Sequence, residues 1–206
     1  MLKEVRPGKM ATPTDSELHA RMRNGDREAF AELYQRHRRS VYGFALQMTA
    51  ARELAEDVTQ EVFMMLMRDT ERFDEKRGSL KAFLLGVTRN YVLRRLRQER
   101  PLVSIESASD DQAMPLSSGN EFLIQSESIR EMRRAILGLP PHYRETVVLC
   151  ELQELSYAEA AAVLGCAIGT VRSRLHRARQ MLIEKLNAAR DERAPAEKIE
   201  SERCFA

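Results

Sequence analysis

Apolar residues recur along this chain at spacings of three and four, and nowhere do they alternate with polar ones. That period predicts helices throughout and no sheet, an all-α protein. Thr14 and Glu17 form a capping-box pair opening a short helix that Asn24-Gly25 ends. Asp26 can cap a second helix carrying Phe30, Leu33, Tyr34, Val41, Tyr42, Ala45, Leu46 and Met48 on its buried side. A third runs from Ala51 to Phe73, with Leu54, Val58, Val62, Met65 and Leu66 as its core stripe. After a turn at residues 74–78, Ser79 caps a long helix with Leu80, Phe83, Leu84, Val87 and Tyr91 facing inward.

The pattern then breaks. Residues 99–127 carry Pro101, Pro115, a run of serines and Asp110-Asp111, which reads as a linker without a core. Fully extended, such a segment reaches about 90 Å, enough to separate two modules. Periodicity resumes at Ser128, and Pro140-Pro141 starts another helix through Leu149. The expected layout is a flexible lead-in over 1–13, a bundle over 14–98, the linker, a second bundle over 128–188, and a frayed tail over 189–206.

The stretch from Leu155 to Leu182 is the most informative. Ser156 and Glu159 make a second capping box, and Gly165 stands where a left-handed residue ends the helix. In the next helix Ile168, Val171, Leu175, Ala178, Leu182 and Leu186 form one apolar stripe. Thr170, Ser173, His176, Arg177 and Gln180 point away from it, flanked by Arg172, Arg174 and Arg179. Groups able to bond base edges, bordered by arginines able to bond phosphates, are what a helix in a major groove needs. The pattern reads as a helix-turn-helix, the alternative being a solvated face on an ordinary helical hairpin.

Charge refines this picture only locally. The 206 residues carry a formal net charge of +2, so any basic surface is local. Two regional faces stand out. On the third helix Glu56, Gln60, Phe63 and Met67 lie opposite the core stripe, a mixture suited either to a partner or to burial on two sides. On the fourth, Arg89, Asn90, Arg94, Arg95 and Arg97 make a second basic face. Cys150, Cys166 and Cys204 are too scattered for a disulfide framework or a zinc site, and no metal or cofactor is expected. Cys150 and Cys166 read as small core residues. No phosphate-cradling glycine loop or nucleophile motif points to an enzyme. No apolar run reaches the length of a membrane span, and no signal core opens the chain, so a cytoplasmic location is expected.

Three segments, AEDVTQEVF (55–63), SLKAFLLGVTRNYVLRRLR (79–97) and the stretch from Leu139 to Arg179, resemble in order and spacing the extracytoplasmic-function group of bacterial RNA polymerase sigma factors. The resemblance implies sigma domain 2, a linker, and a sigma domain 4 bearing the helix-turn-helix. It implies that Asp57, Gln60, Glu61, Phe63, Met64 and Met67 dock on core RNA polymerase. Lys76, Arg77, Lys81, Arg89 and Asn90 would melt and read the promoter −10 element. Thr170, Arg172, Ser173, Arg174, His176, Arg177 and Arg179 would read the −35 element. The partners so implied are core polymerase, promoter DNA and an anti-sigma factor. The chain departs from the family where members often carry tryptophan, having Met67 and Phe83 there, and where Arg94 replaces a common aspartate. A sigma-like decoy for an anti-sigma factor, or a conventional helix-turn-helix regulator, are the competing readings.

Overall fold

A computed structural model describes residues 12–98 and 120–203, with side chains described for 12–98 and 128–188. Residues 1–11 of the expected lead-in and 99–119 of the expected linker lie outside the described residues, while 120–127, expected as the end of the linker, are helical. Among the described residues, eight α-helices follow in order: α1 (Asp15–Arg23), α2 (Arg27–Thr49), α3 (Arg52–Arg68), α4 (Leu80–Gln98), α5 (Asn120–Leu137), α6 (Pro141–Val147), α7 (Tyr157–Leu164) and α8 (Ile168–Arg203). No strand occurs among the described residues.

The expected caps form. Thr14 and Ser156 each accept from the backbone three residues on while Glu17 and Glu159 reach back. Asp26 accepts from Glu28 and Ala29 at the start of α2. The Ala82 N–H donates to Ser79 Oγ at 3.2 Å. Gly165 ends α7 at φ 66°, a left-handed conformation that costs glycine nothing.

The first module packs α2 against α1, α3 and α4 around Leu33, Val41, Phe44, Val58, Val62, Leu66, Leu80 and Leu84. In α4 the buried side is rotated from the expected one. Ala82, Leu85, Thr88 and Val92 are buried, while Phe83, Val87 and Tyr91 lie at the rim of the core. The third helix ends at Arg68 rather than Phe73, followed by a short 3₁₀ turn at Thr70–Arg72. In the second module α8 packs on α6 and α7 through Val171, Leu175 and Ala178. Ile168, expected in that stripe, is exposed at the first position of α8, beyond the reach of α6. α6 runs on into a π turn over Val148–Leu152, in which the Gln153 N–H donates to the Val148 carbonyl. The backbone of α8 continues helical to Arg203, past the point where the sequence places the end of the bundle.

The two modules lie against each other. Their buried apolar residues form one contiguous cluster, α4 packs on α7, and α2 packs on α5, α6 and the π turn. Small residues permit the approach: a Cβ on Gly86 of α4 would sit 3.8 Å from Val163 of α7. Arg144, half-buried on α6, fastens the junction. It donates to the carbonyls of Leu137, the last residue of α5, and Leu139 just beyond it, and to Met48 near the end of α2. A guanidinium there satisfies acceptors that helix termini leave open and meets the negative end of both dipoles.

Two buried histidines should make the first module sensitive to acid. His37 Nε2–H donates to Asp15 Oδ2 at 2.7 Å, and His19 lies edge-on to Phe73 at 5.0 Å. Burial holds both below the ordinary histidine pKa, despite the opposing pull of Asp15 on His37 and of the Thr70 backbone on His19. Each ring therefore binds its proton less readily in the fold than in the unfolded chain. Their stabilising effect is present above the ordinary histidine range, about 6.5, and is lost as pH falls through it. Urea midpoints measured from about pH 7.5 to about pH 5.5 should fall, and the fall should shrink in His19→Phe/His37→Gln. Equal slopes in the two proteins would place the acid sensitivity elsewhere.

Candidate nucleic-acid and partner-docking surfaces

On α3, Asp57, Gln60, Met64 and Met67 share one exposed face, joined by Glu53 and Glu56. Their spacings of three and four align them along the helix, and Met67 is 54% exposed. Two residues expected with them stand apart from that face: one is buried and the other is paired at its edge. Phe63 is only 3% exposed and packs its ring against Tyr34 at 4.8 Å and Phe30 at 6.5 Å. It sits at the edge of the exposed arc, where α2 crosses, and burial there removes it from any direct contact. Glu61 lies at the other edge and pairs with Arg94 at 3.5 Å and with Arg95, joining α3 to α4. The exposed face is therefore narrower than the sequence suggests: acids, one amide and two methionines.

The turn after α3 is a second 3₁₀ turn, Glu75–Arg77, held by the Lys76 N–H donating to Asp74 Oδ1 at 3.0 Å. Lys76 and Arg77 are exposed on it, with Lys81 half-buried one turn into α4. A cleft of about 540 Å³ opens between this turn and α4, lined by Arg77, Ser79, Phe83 and Asn90, and closed on one side by Ala162 and Val163 of α7. Farther along α4, Arg89, Asn90, Arg94 and Arg97 line a second cleft of about 390 Å³. Arg94 lies over the Tyr91 ring, 5.1 Å from its centre.

Arg89 is not free. Its Nε and Nη2 both donate to Glu145 Oε2 at 3.1 Å, and Glu145, on α6, is 4% exposed. Ser79 Oγ–H donates to Glu159 Oε1 at 2.5 Å. The Ser79 hydroxyl, reinforced by Ser156, holds the Glu159 carboxyl below the ordinary range. Sequence reasoning missed both contacts. One signal existed: Glu145, Val148 and Leu149 lie at helical spacing, and a carboxylate in an apolar stripe needs a cationic partner.

On α8, Arg172, Ser173, His176, Arg177 and Arg179 are exposed, with Thr170 and Arg174 half-buried at the flanks. Ser173 Oγ–H donates back to the Thr170 carbonyl at 3.0 Å. Arg179 pairs with Glu151 of the π turn at 2.5 Å, which fixes its direction beside the helix. Cys150 and Cys166 are half-buried against the core, and burial pushes the Cys150 thiol up to about 11, so it is inert at neutral pH. Cys204 lies outside the described residues. Among the described residues, no cluster could hold a metal, and no helix is long and apolar enough to cross a membrane.

An acidic–methionine face beside a basic helix, followed by a helix-turn-helix, defines a DNA-directed class of protein. Comparison with known proteins gives the class its family. Residues 33–101 match the family described as sigma-70 region 2, and residues 129–182 the one described as sigma-70, region 4. The chain is 31% identical to the ECF RNA polymerase sigma-E factor of Escherichia coli K12 over 184 residues, covering 84% of this chain and 94% of that protein. It is 35% identical over 158 residues to the ECF RNA polymerase sigma factor SigE of Mycolicibacterium smegmatis, covering 75% of this chain and spanning 60% of that protein. Among solved structures, the sigma factor RpoE of Bartonella quintana, in complex with the anti-sigma factor NepR, matches at 28% identity and TM-score 0.64, covering 77% of this chain and 96% of that one. CnrH, in complex with the cytosolic domain of CnrY, matches at 26% identity and the same TM-score, covering 84% and 97%. The chain belongs to the extracytoplasmic-function sigma factors of RNA polymerase.

Proposed function

We propose that the chain is a transcription initiation factor, acting in the cytoplasm, that binds core RNA polymerase and directs it to promoters through their −10 and −35 elements. The observation that carries this reading is the presence, on one chain and in family order, of all three surfaces. These are the α3 face, the α4 helix with its basic turn, and the outward face of α8. Asp57, Gln60, Met64 and Met67 meet the polymerase. Lys76, Arg77, Lys81, Arg89 and Asn90 hold the opened −10 strand, where stacking and cationic contacts offset the few kcal/mol of unstacking. Thr170, Arg172, Ser173, Arg174, His176 and Arg177 face the −35 groove, and Arg179 lies beside it toward phosphate. The chemistry belongs to the polymerase, and the sigma factor supplies position.

Control by an anti-sigma factor is part of the proposal, supported by the relative solved in complex with one. A conventional regulator leaves the match to sigma-70 region 2 without a purpose. The test is reconstitution with bacterial core polymerase on a library of random upstream sequences. Transcripts should start downstream of a shared pair of elements, and their yield should fall steeply with salt, because arginine–phosphate contacts release counterions. Transcripts that start indifferently to sequence, with and without the protein, would end this reading.

A further inference from the structure

None of the three proposed surfaces draws a residue from α1, yet α1 holds the segment that leads into the basic turn. His19, buried on α1, gives a hydrogen bond to the Thr70 backbone and lies edge-on to Phe73, ring centres 5.0 Å apart. Arg23, one turn on, pairs with Glu71 at 2.5 Å. Phe73 in turn packs on Phe83 of α4 at 5.6 Å, and both rings line the cleft of about 540 Å³ beside the basic turn. Lys76 and Arg77 follow Phe73 by three and four residues. Phe73 is itself buried, so it serves the cleft by backing the partly exposed Phe83 ring. One atom in this stack is unsatisfied: His19 Nε2 is buried and has no hydrogen-bond partner among the described residues.

We propose that His19 is a positioning residue for the −10 cleft: the neutral ring seats Phe73 against Phe83 and so holds the cleft wall and basic turn ready for an opened strand, and the protonated ring unseats them. The proposal rests on the −10 role proposed for the turn and α4. An aromatic face in a basic cleft is a stacking platform for unpaired bases, so its angle matters to strand binding. A neutral imidazole has one N–H, and the Thr70 backbone receives it. A second proton turns Nε2 into a charged donor with nothing to receive it, which is costly in a buried place. Burial is the largest influence on the ring and holds it below the ordinary histidine range, and Arg23 adds repulsion. Glu71 and Glu75 pull the other way, one from each 3₁₀ turn. Asp15, four residues back on the same face of α1, is already held by Arg36 and His37 of α2. Of these groups, the two turn carboxylates are left to receive the charged ring, and moving toward them takes it off Phe73.

The test uses holoenzyme assembled from the full-length protein and core polymerase, with a dye-labelled single strand carrying the −10 element that the reconstituted library selects. Strand affinity is read by anisotropy from about pH 7.5 to about pH 5, a span that covers the ordinary histidine value and the region below it. Wild type should bind about tenfold more weakly at the acid end, mid-range for coupling between two sites. His19→Asn keeps an N–H donor that does not titrate. It should bind like wild type at about pH 7.5 and hold that affinity at about pH 5. His19→Ala removes both donor and ring, and should bind about tenfold more weakly at every pH. His37→Gln should keep the wild-type slope, since His37 bonds Asp15 rather than the turns. Each variant is assembled with polymerase first, so a fold lost through substitution shows as lost co-elution. If His19→Ala does not fold, the slope of His19→Asn decides alone. A flat wild type, or a wild-type slope that survives in His19→Asn, overturns the proposal. A wild type that binds the selected strand and a scrambled one equally at about pH 7.5 overturns the −10 assignment beneath it instead.

Discussion

Asp57→Lys/Gln60→Ala should abolish co-elution of the protein with core RNA polymerase on a sizing column and lower its affinity by more than a hundredfold. Both residues are exposed in the centre of the α3 face and neither forms a hydrogen bond or ion pair with another described residue, so the substitutions leave the core intact. The face combines acids with two methionines, Met64 and Met67, and it is bordered by Glu53 and Glu56. Such a surface suits a basic partner with an apolar centre, because charge steers the encounter and the flexible thioethers fill the contact. Reversing one central charge adds repulsion to the lost attraction, and truncating the neighbouring amide leaves its partner unsatisfied. A handful of central residues dominate most interfaces, each contributing about 2 kcal/mol or more. Helical content and thermal midpoint should match wild type. Unchanged co-elution of the variant would move the dock away from α3.

Arg177→Ala and Arg179→Ala should separate the two tasks of the −35 helix. Arg177 is exposed on α8, on the side away from the buried Val171, Leu175 and Ala178. An arginine so placed reaches base edges, where a bidentate pair discriminates by about 1–3 kcal/mol against the wrong base. Its loss should flatten the difference between a preferred −35 element and a single-base variant at one position. Arg179 sits two residues on, turned to the side and held by Glu151. That pair is exposed at both ends, so it orients the side chain more than it stabilises the fold. Its truncation should weaken binding to every sequence alike and reduce the salt slope by about one. Competition binding of holoenzyme to a set of −35 variants at several salt concentrations reads both effects. Uniform loss from Arg177→Ala would reverse the assignment.

Local structure was legible because its chemistry is local. A capping box needs only a hydroxyl and a carboxylate three residues apart, so Thr14–Glu17 and Ser156–Glu159 can be read from letters alone. Gly165 is equally plain, and so is the stripe of Val171, Leu175 and Ala178. What escaped depends on which neighbour a helix face meets. Phe63 and Glu61 lie at opposite edges of the α3 face, where a rotation of some tens of degrees decides between solvent and α2 or α4. The α4 stripe was misplaced for the same reason: that helix touches two modules, so Ala82 and Thr88 are buried where a single-core reading looks to Val87 and Tyr91. Nothing in the spacing of 99–127 announces that the modules beyond it close on each other. The π turn after Val147 was invisible, since one extra residue per turn leaves no signature in an apolar run.

Glu145 has a consequence beyond its bond to Arg89. It stands in the buried stripe of α6 beside Val148 and Leu149, on the side turned toward the first module. When the modules separate, the surface laid bare is apolar, which ordinarily invites self-association. A carboxylate within that patch repels the same patch on another copy and keeps it wetted. Any separation of the modules would thus expose a surface that carries its own guard against clumping.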